Sequence, residues 1–84
     1  MKIIYHPKVK KNIDKCNKEL KNKFKQEIEK IQKTPFKNKQ LKGRLKDFRC
    51  CKFIFKRVSY RIIYKINENK LILVFSIGSR ENFY

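Results

Sequence analysis

Histidine and cysteine, the residues that most often hold metals or attack substrates, are nearly missing from this sequence. It has one histidine, His6, and three cysteines, Cys16, Cys50 and Cys51. No Cys-x-x-Cys pair and no Cys/His cluster occurs, so neither a metal site nor a cofactor is expected. Three cysteines cannot close an even disulfide framework, and the adjacent Cys50 and Cys51 would point to opposite faces of a strand. Reduced thiols in a cytoplasmic protein are the simpler expectation. Long apolar runs are missing too: nothing approaches the ~20 residues of a membrane-spanning helix. The opening Met-Lys-Ile-Ile-Tyr-His-Pro is also too poor in apolar residues for a signal peptide. Acidic residues are scarce as well, 7 against 24 lysines and arginines, for a formal net charge of +17. A chain with that imbalance repels itself and seeks polyanions.

Its 84 residues make one domain, residues 1–84, whose core buries only about 60–65% of the unfolded surface. Such a core is marginal unless a partner covers part of it. The lysine excess keeps company with many asparagines and isoleucines, the composition of an AT-rich genome. That bias does not explain why cations fall on alternate positions of the strands in the second half.

There, Lys52-Phe-Ile-Phe-Lys56, Ser59-Tyr-Arg-Ile-Ile-Tyr-Lys-Ile66 and Leu71-Ile-Leu-Val-Phe-Ser-Ile-Gly-Ser-Arg80 follow one another with turn-sized gaps. They predict an antiparallel meander. Tyr60, Ile62, Tyr64 and Ile66 share one face with Cys51, Phe53 and Phe55, and the opposite face is expected to gather Lys52, Lys56, Arg61 and Lys65. In the last strand Leu71, Leu73, Phe75 and Ile77 read as one face and Ile72, Val74 and Ser76 as the other. Apolar on both sides, this strand should lie inside the sheet. Asn67 to Lys70 reads as a hairpin turn.

Earlier in the chain, Lys2 to Tyr5 is a short β-prone run that would extend the sheet to four strands. Val9, Ile13, Cys16 and Leu20, then Phe24, Ile28 and Ile31, recur at helical spacing. No glycine or proline separates the two series, so one bent helix is conceivable; two antiparallel helices joined near Asn22 are more compact and preferred. Thr34 and Pro35 stop the second. A polar connector around Gly43 follows, where glycine supplies either a special backbone conformation or a close approach. The fold class is therefore α+β: a small antiparallel sheet, order β-α-α-β-β-β, with two N-terminal helices packed on one face. No internal repeat is visible.

Leu41-Lys42-Gly43 before a lysine-bearing strand, then Tyr60 to Tyr64, then Ile77 to Tyr84, in that order and spacing, resembles the RelE/ParE toxin superfamily, and within it the RelE-type mRNA-cleaving toxins. With the helices included, the likeness spans nearly the whole chain. The resemblance implies a toxin of a type II toxin–antitoxin pair that enters the ribosomal A site and cleaves mRNA there without a metal. It implies Lys52 as the strand lysine suspected as base, Arg61 as the arginine that stabilises charge on the phosphate, and Arg80 as a transition-state arginine that helps protonate the leaving group. Tyr84 then stacks on or orients a nucleotide. Arg49, Lys56, Arg57 and Lys65 are the accompanying RNA-binding candidates.

Ile54 stands where such toxins often carry a second lysine, which leaves Lys56 or Arg57 to compensate, or activity weaker. His6 reads as structural or solvated. The expected partners are an acidic antitoxin in a hetero-oligomer, the ribosome and mRNA, and no membrane. Two other readings stand beside this one: a ParE-like inhibitor of DNA gyrase, and a non-catalytic basic nucleic-acid-binding module.

Overall fold

Residues 2–68 and 70–79 are described by the computed structural model. Lys2–Tyr5 forms β1, Pro7–Lys15 α1, Lys18–Lys33 α2, Lys39–Gln40 β2, Phe48–Phe55 β3, Val58–Ile66 β4 and Leu71–Ser79 β5, with a 3₁₀ turn at Gly43–Leu45. Pro7 fits the first helical turn because no intrahelical partner waits for its missing N–H. The exposed amide of Lys8 instead donates to His6 Nδ1 at 3.1 Å, so the lone histidine is the N-cap of α1.

The two helices are present, but their join lies at Cys16–Asn17 and not near Asn22. Asn17 Oδ1 accepts the Leu20 amide at 2.9 Å, an N-cap that starts a new helix without glycine or proline. Leu20 therefore belongs to α2, where it packs partly buried against the core on the same stripe as Phe24, Ile28 and Ile31. Thr34 ends α2, its amide and hydroxyl both donating to the Lys30 carbonyl.

The sheet has five strands, in the order β1-β5-β4-β3-β2, where four were expected. The β3–β4 and β4–β5 pairs are antiparallel hairpins, as is the two-residue β2 on β3, while β1 lies parallel to β5. Both helices cover one face. Val9, Ile13, Phe24, Ile28 and Ile31 from that side meet Cys51, Phe53, Ile62, Tyr64, Ile72, Val74 and Ile77 from the sheet. Phe24 stands edge-on to Phe53 and Tyr60, with centroids at 5.3 and 5.6 Å.

One irregularity redraws the faces of β5. Ile63 pairs with Ser76 and Tyr64 with Val74, leaving Phe75 as an extra residue. A bulge of this kind shifts the alternation by one position. Ile77 therefore returns to the core, which its 1% exposure confirms, while Ser76 joins the open face; the sequence alternation had assigned both to the wrong side.

Gly43 has φ +68, and nothing lies within 4 Å of where its Cβ would stand. Its role is conformation and not close approach. The β3–β4 turn puts two L residues, Lys56 (φ 48) and Arg57 (φ 67), in the same left-handed region, the geometry a tight hairpin demands.

Tyr64 ties the connector to the sheet: its buried hydroxyl donates to the Pro35 carbonyl at 2.6 Å and accepts from Asn38 Nδ2 at 3.1 Å. Arg49 reinforces the tie by donating to the carbonyls of Phe36 (3.2 Å) and Asn38 (2.7 Å). Tyr64→Phe orphans the Pro35 carbonyl, and a cost of about 1–3 kcal/mol is expected in a denaturant melt.

Candidate functional site

The face turned away from the helices is organised in rows set by strand register. Across the middle, Lys52 on β3 is the direct partner of Arg61 on β4, and Arg61 in turn of Gly78 on β5. The next row is Cys50, Ile63 and Ser76; the one beyond it is Phe48, Lys65 and Leu73, continued by Ile4 on β1. On the other side of Lys52 and Arg61 the row is Ile54 and Ser59, and Ile54 is 74% exposed. Neighbours on a strand face are about 7 Å apart along the chain direction, so the two cations occupy one small patch of sheet.

Among the described residues no acid neutralises their charge. Asp14, Glu19 and Glu27 pair with Lys21, Lys56, Lys23 and Lys30, so the ion pairs lie on the helices or at the hairpin tip. Among the described residues, no salt bridge reaches Lys52, Arg61 or Lys65. Arg61 Nε and Ser76 Oγ are buried and, among the described residues, without a hydrogen-bond partner. A buried donor left open on a cationic face is a demand for an acceptor, and a phosphate oxygen meets it.

Beside Lys52 a cleft of about 530 Å³ is lined by Lys37, Asn38, Lys39, Leu41, Lys42 and Cys50 among others. The connector thus adds three lysines next to the Lys52 row. Sequence reasoning treated this stretch only as polar; the signal was there in the lysine spacing, but the Tyr64 and Arg49 ties that bring it to β3 were not.

The candidates fall into three groups. Lys52 and Arg61 are brought together, and Lys65 shares their face, its Nζ 5.8 Å from the Phe48 ring centre. Lys56 departs from the expected set: as a turn residue it leaves the strand alternation, and its Nζ pairs with Glu19 on α2. Arg57 lies in the same exposed turn, and Arg49 is on the helix-side face, over the Phe36 ring at 5.4 Å. Arg80 and Tyr84 lie outside the described residues.

The thiols are held protonated. Burial first, then Glu27 and Cys50, push Cys51 up from 9.0 to about 11, outweighing Lys30 and Lys23. Cys50 is raised by burial against the opposing pull of Arg61 and Lys52. A folded-state value above the unfolded one means the protonated thiol stabilises the fold below pH 9, and that contribution is lost as pH climbs from about 9 toward 11. Wild-type stability should therefore fall across that window, and Cys51→Ala should flatten the fall in a pH series of melts.

The sequence model of a family described as ParE-like toxin of type II bacterial toxin-antitoxin system matches residues 3–84. The chain belongs to that family. Among solved structures, this ParE-like toxin is similar to the toxin in the intact Escherichia coli RelBE toxin–antitoxin complex, with TM-score 0.79, 21% identity, and coverage of 96% of this chain and 98% of that one. It is also similar to the isolated E. coli RelE toxin, with TM-score 0.76, 20% identity, and coverage of 96% and 85%. No curated protein sequence matches it. Membership of the RelE/ParE superfamily, expected from Leu41–Gly43, Tyr60–Tyr64 and Ile77–Tyr84, is borne out, and so is the α+β fold with two helices on one face of the sheet.

Proposed function

We propose that this toxin is an endoribonuclease that cuts mRNA in the ribosomal A site. The observation that carries the reading is the Lys52–Arg61 pair, facing each other on the open sheet with no acid paired to either among the described residues. RNA supplies its own nucleophile. By resemblance to RelE-type toxins Lys52 is the base: in its neutral amine form it takes the proton of the 2′-hydroxyl, which attacks the adjacent phosphorus; the bond to the 5′ oxygen breaks, leaving a 2′,3′-cyclic phosphate and a 5′-hydroxyl. Arg61 stabilises the extra negative charge that the phosphate carries in passing. By resemblance to RelE-type toxins, Arg80 stabilises the transition state and helps protonate the leaving oxygen, and Tyr84 stacks on or orients the nucleotide.

The remaining surface fits the same setting. A net charge of +17 on a cytoplasmic protein suits ribosomal RNA, and binding to it weakens steeply with salt as counterions are released. The inhibitor is an acidic antitoxin that forms a hetero-oligomer with the toxin and adds apolar cover to its small core.

The ParE-like family match favours a second reading, a gyrase inhibitor that leaves RNA intact. In vitro translation of a defined message with purified toxin, its mRNA ends mapped by primer extension, separates the two. Cuts inside A-site codons are expected. An intact message with unimpaired translation overturns the nuclease reading, and loss of gyrase supercoiling then supports the second.

A further inference from the structure

The cationic pair occupies only part of the open face. Further along it, His6, Phe75 and Phe48 make a continuous run of rings: His6 stacks on Phe75 with centroids 5.8 Å apart and planes at 28°, and Phe75 meets Phe48 edge-on at 5.2 Å. Lys65, the cross-strand partner of Phe48, holds its Nζ over the Phe48 ring. This cluster is not core. The helices cover the opposite face, His6 is exposed, and Phe75 keeps 41% of its surface accessible.

Phe75 is also the bulge residue. In a regular β5 the alternation would send Ser76 into the core; the extra residue gives the open face both a ring and the Ser76 hydroxyl while returning Ile77 inward. A bulge breaks ladder pairing, and bulges recur where a side chain is re-aimed next to a functional site. Here the re-aimed side chain is an exposed aromatic on a face whose other functional groups are cations.

We infer that His6, Phe48 and Phe75, with Lys65 beside them, form a stacking platform for unpaired RNA bases flanking the scissile phosphate. Aromatic faces interleaved with cations are what a single strand needs, since every base has a π-face and every linkage a charge. The spacing suits one strand. Lys65 lies four residues from Arg61 on β4, roughly 13 Å at strand rise, so a phosphate at the Lys52–Arg61 pair leaves neighbouring bases over the rings. Charge decides the occupant: Lys52, Arg61 and Lys65 favour a polyanion on this face over an apolar peptide. The inference rests on RNA being the substrate.

The test uses full-length toxin and a short single-stranded RNA that is 2′-O-methylated throughout, which blocks cleavage, with 2-aminopurine at one position. A matched oligonucleotide carries an abasic site there. Because the chain has no tryptophan, the probe's emission is read without that background.

Quenching on binding is expected, with the abasic strand binding about 5- to 150-fold more weakly, the range given by the loss of one stacked base. Phe75→Leu and Phe48→Leu should erase that preference while the salt dependence of binding persists, and Phe75→Tyr should keep it. Equal affinity for both strands overturns the platform and leaves the cationic site standing. Absence of binding to either strand overturns the platform, and primer extension on translated message then decides the nuclease reading separately. Because the two-strand comparison is made on the wild type, it decides the matter even if a leucine variant fails to fold.

Discussion

Arg61→Ala should lower the rate of A-site mRNA cleavage by about 10²- to 10³-fold, the equivalent of about 3–4 kcal/mol of transition-state stabilisation lost with one preorganised donor. The thermal midpoint should move little. Arg61 lies on the face away from the core, and its Nε serves no partner among the described residues, so truncation orphans no group that depends on it. That separation matters, because it makes an activity loss readable as chemistry. Arg61→Lys keeps the charge and loses the planar fork, so it should recover only part of the rate.

Lys52→Ala should give a comparable loss, and the double variant less than the product of the two, because the residues are direct cross-strand partners close enough to couple. A non-catalytic nucleic-acid-binding module behaves otherwise. In it the wild type cuts nothing, and Arg61→Ala only weakens binding in proportion to the phosphate contacts removed. Primer extension reads the first behaviour and a salt titration the second, so one pair of variants separates a nuclease from a binder.

The cationic face was legible because strand alternation is local: once Ile62 and Tyr64 are buried, Arg61 must point to the other face, and only the antiparallel meander was needed to bring Lys52 beside it. What escaped the sequence depends on backbone choices that leave little mark in composition. The bulge at Phe75 shifted Ser76 and Ile77 to faces opposite to those their spacing implies. The left-handed turn at Lys56 and Arg57 carries neither asparagine nor glycine to announce it, and it took Lys56 off the open face to Glu19.

The two-residue β2 is too short to show any period. Arg49 read as an RNA-binding candidate, yet its guanidinium is used by the Phe36 and Asn38 carbonyls. That contact is invisible until the connector is seen folded back onto the sheet. His6 read only as structural or solvated; its cap on α1, through the Lys8 amide, appears with the fold.

Phe24→Ala should be the most damaging single change to the fold, lowering stability by about 3–5 kcal/mol through lost transfer energy and the cavity left behind. Phe24 is 1% exposed and is the one α2 side chain whose ring meets both Phe53 on β3 and Tyr60 on β4. Its loss loosens the helix from two strands at once. At ~0.05–0.15 kcal/mol per residue, a domain of this length has about 4–13 kcal/mol in total, so the change removes a large fraction or all of it. A circular-dichroism melt should show the midpoint falling by about 15–30 °C.

The same melt with an acidic antitoxin bound tests whether a partner supplies the missing stability, since any ligand selective for the folded state adds RT ln(1 + [L]/Kd). Recovery of the midpoint in the complex, without recovery of cleavage by the freed variant, is the expected pattern. It would show that the helix face and the cationic face answer to different demands: the first keeps the sheet in register, and the second uses that register to hold Lys52 and Arg61 opposite one another.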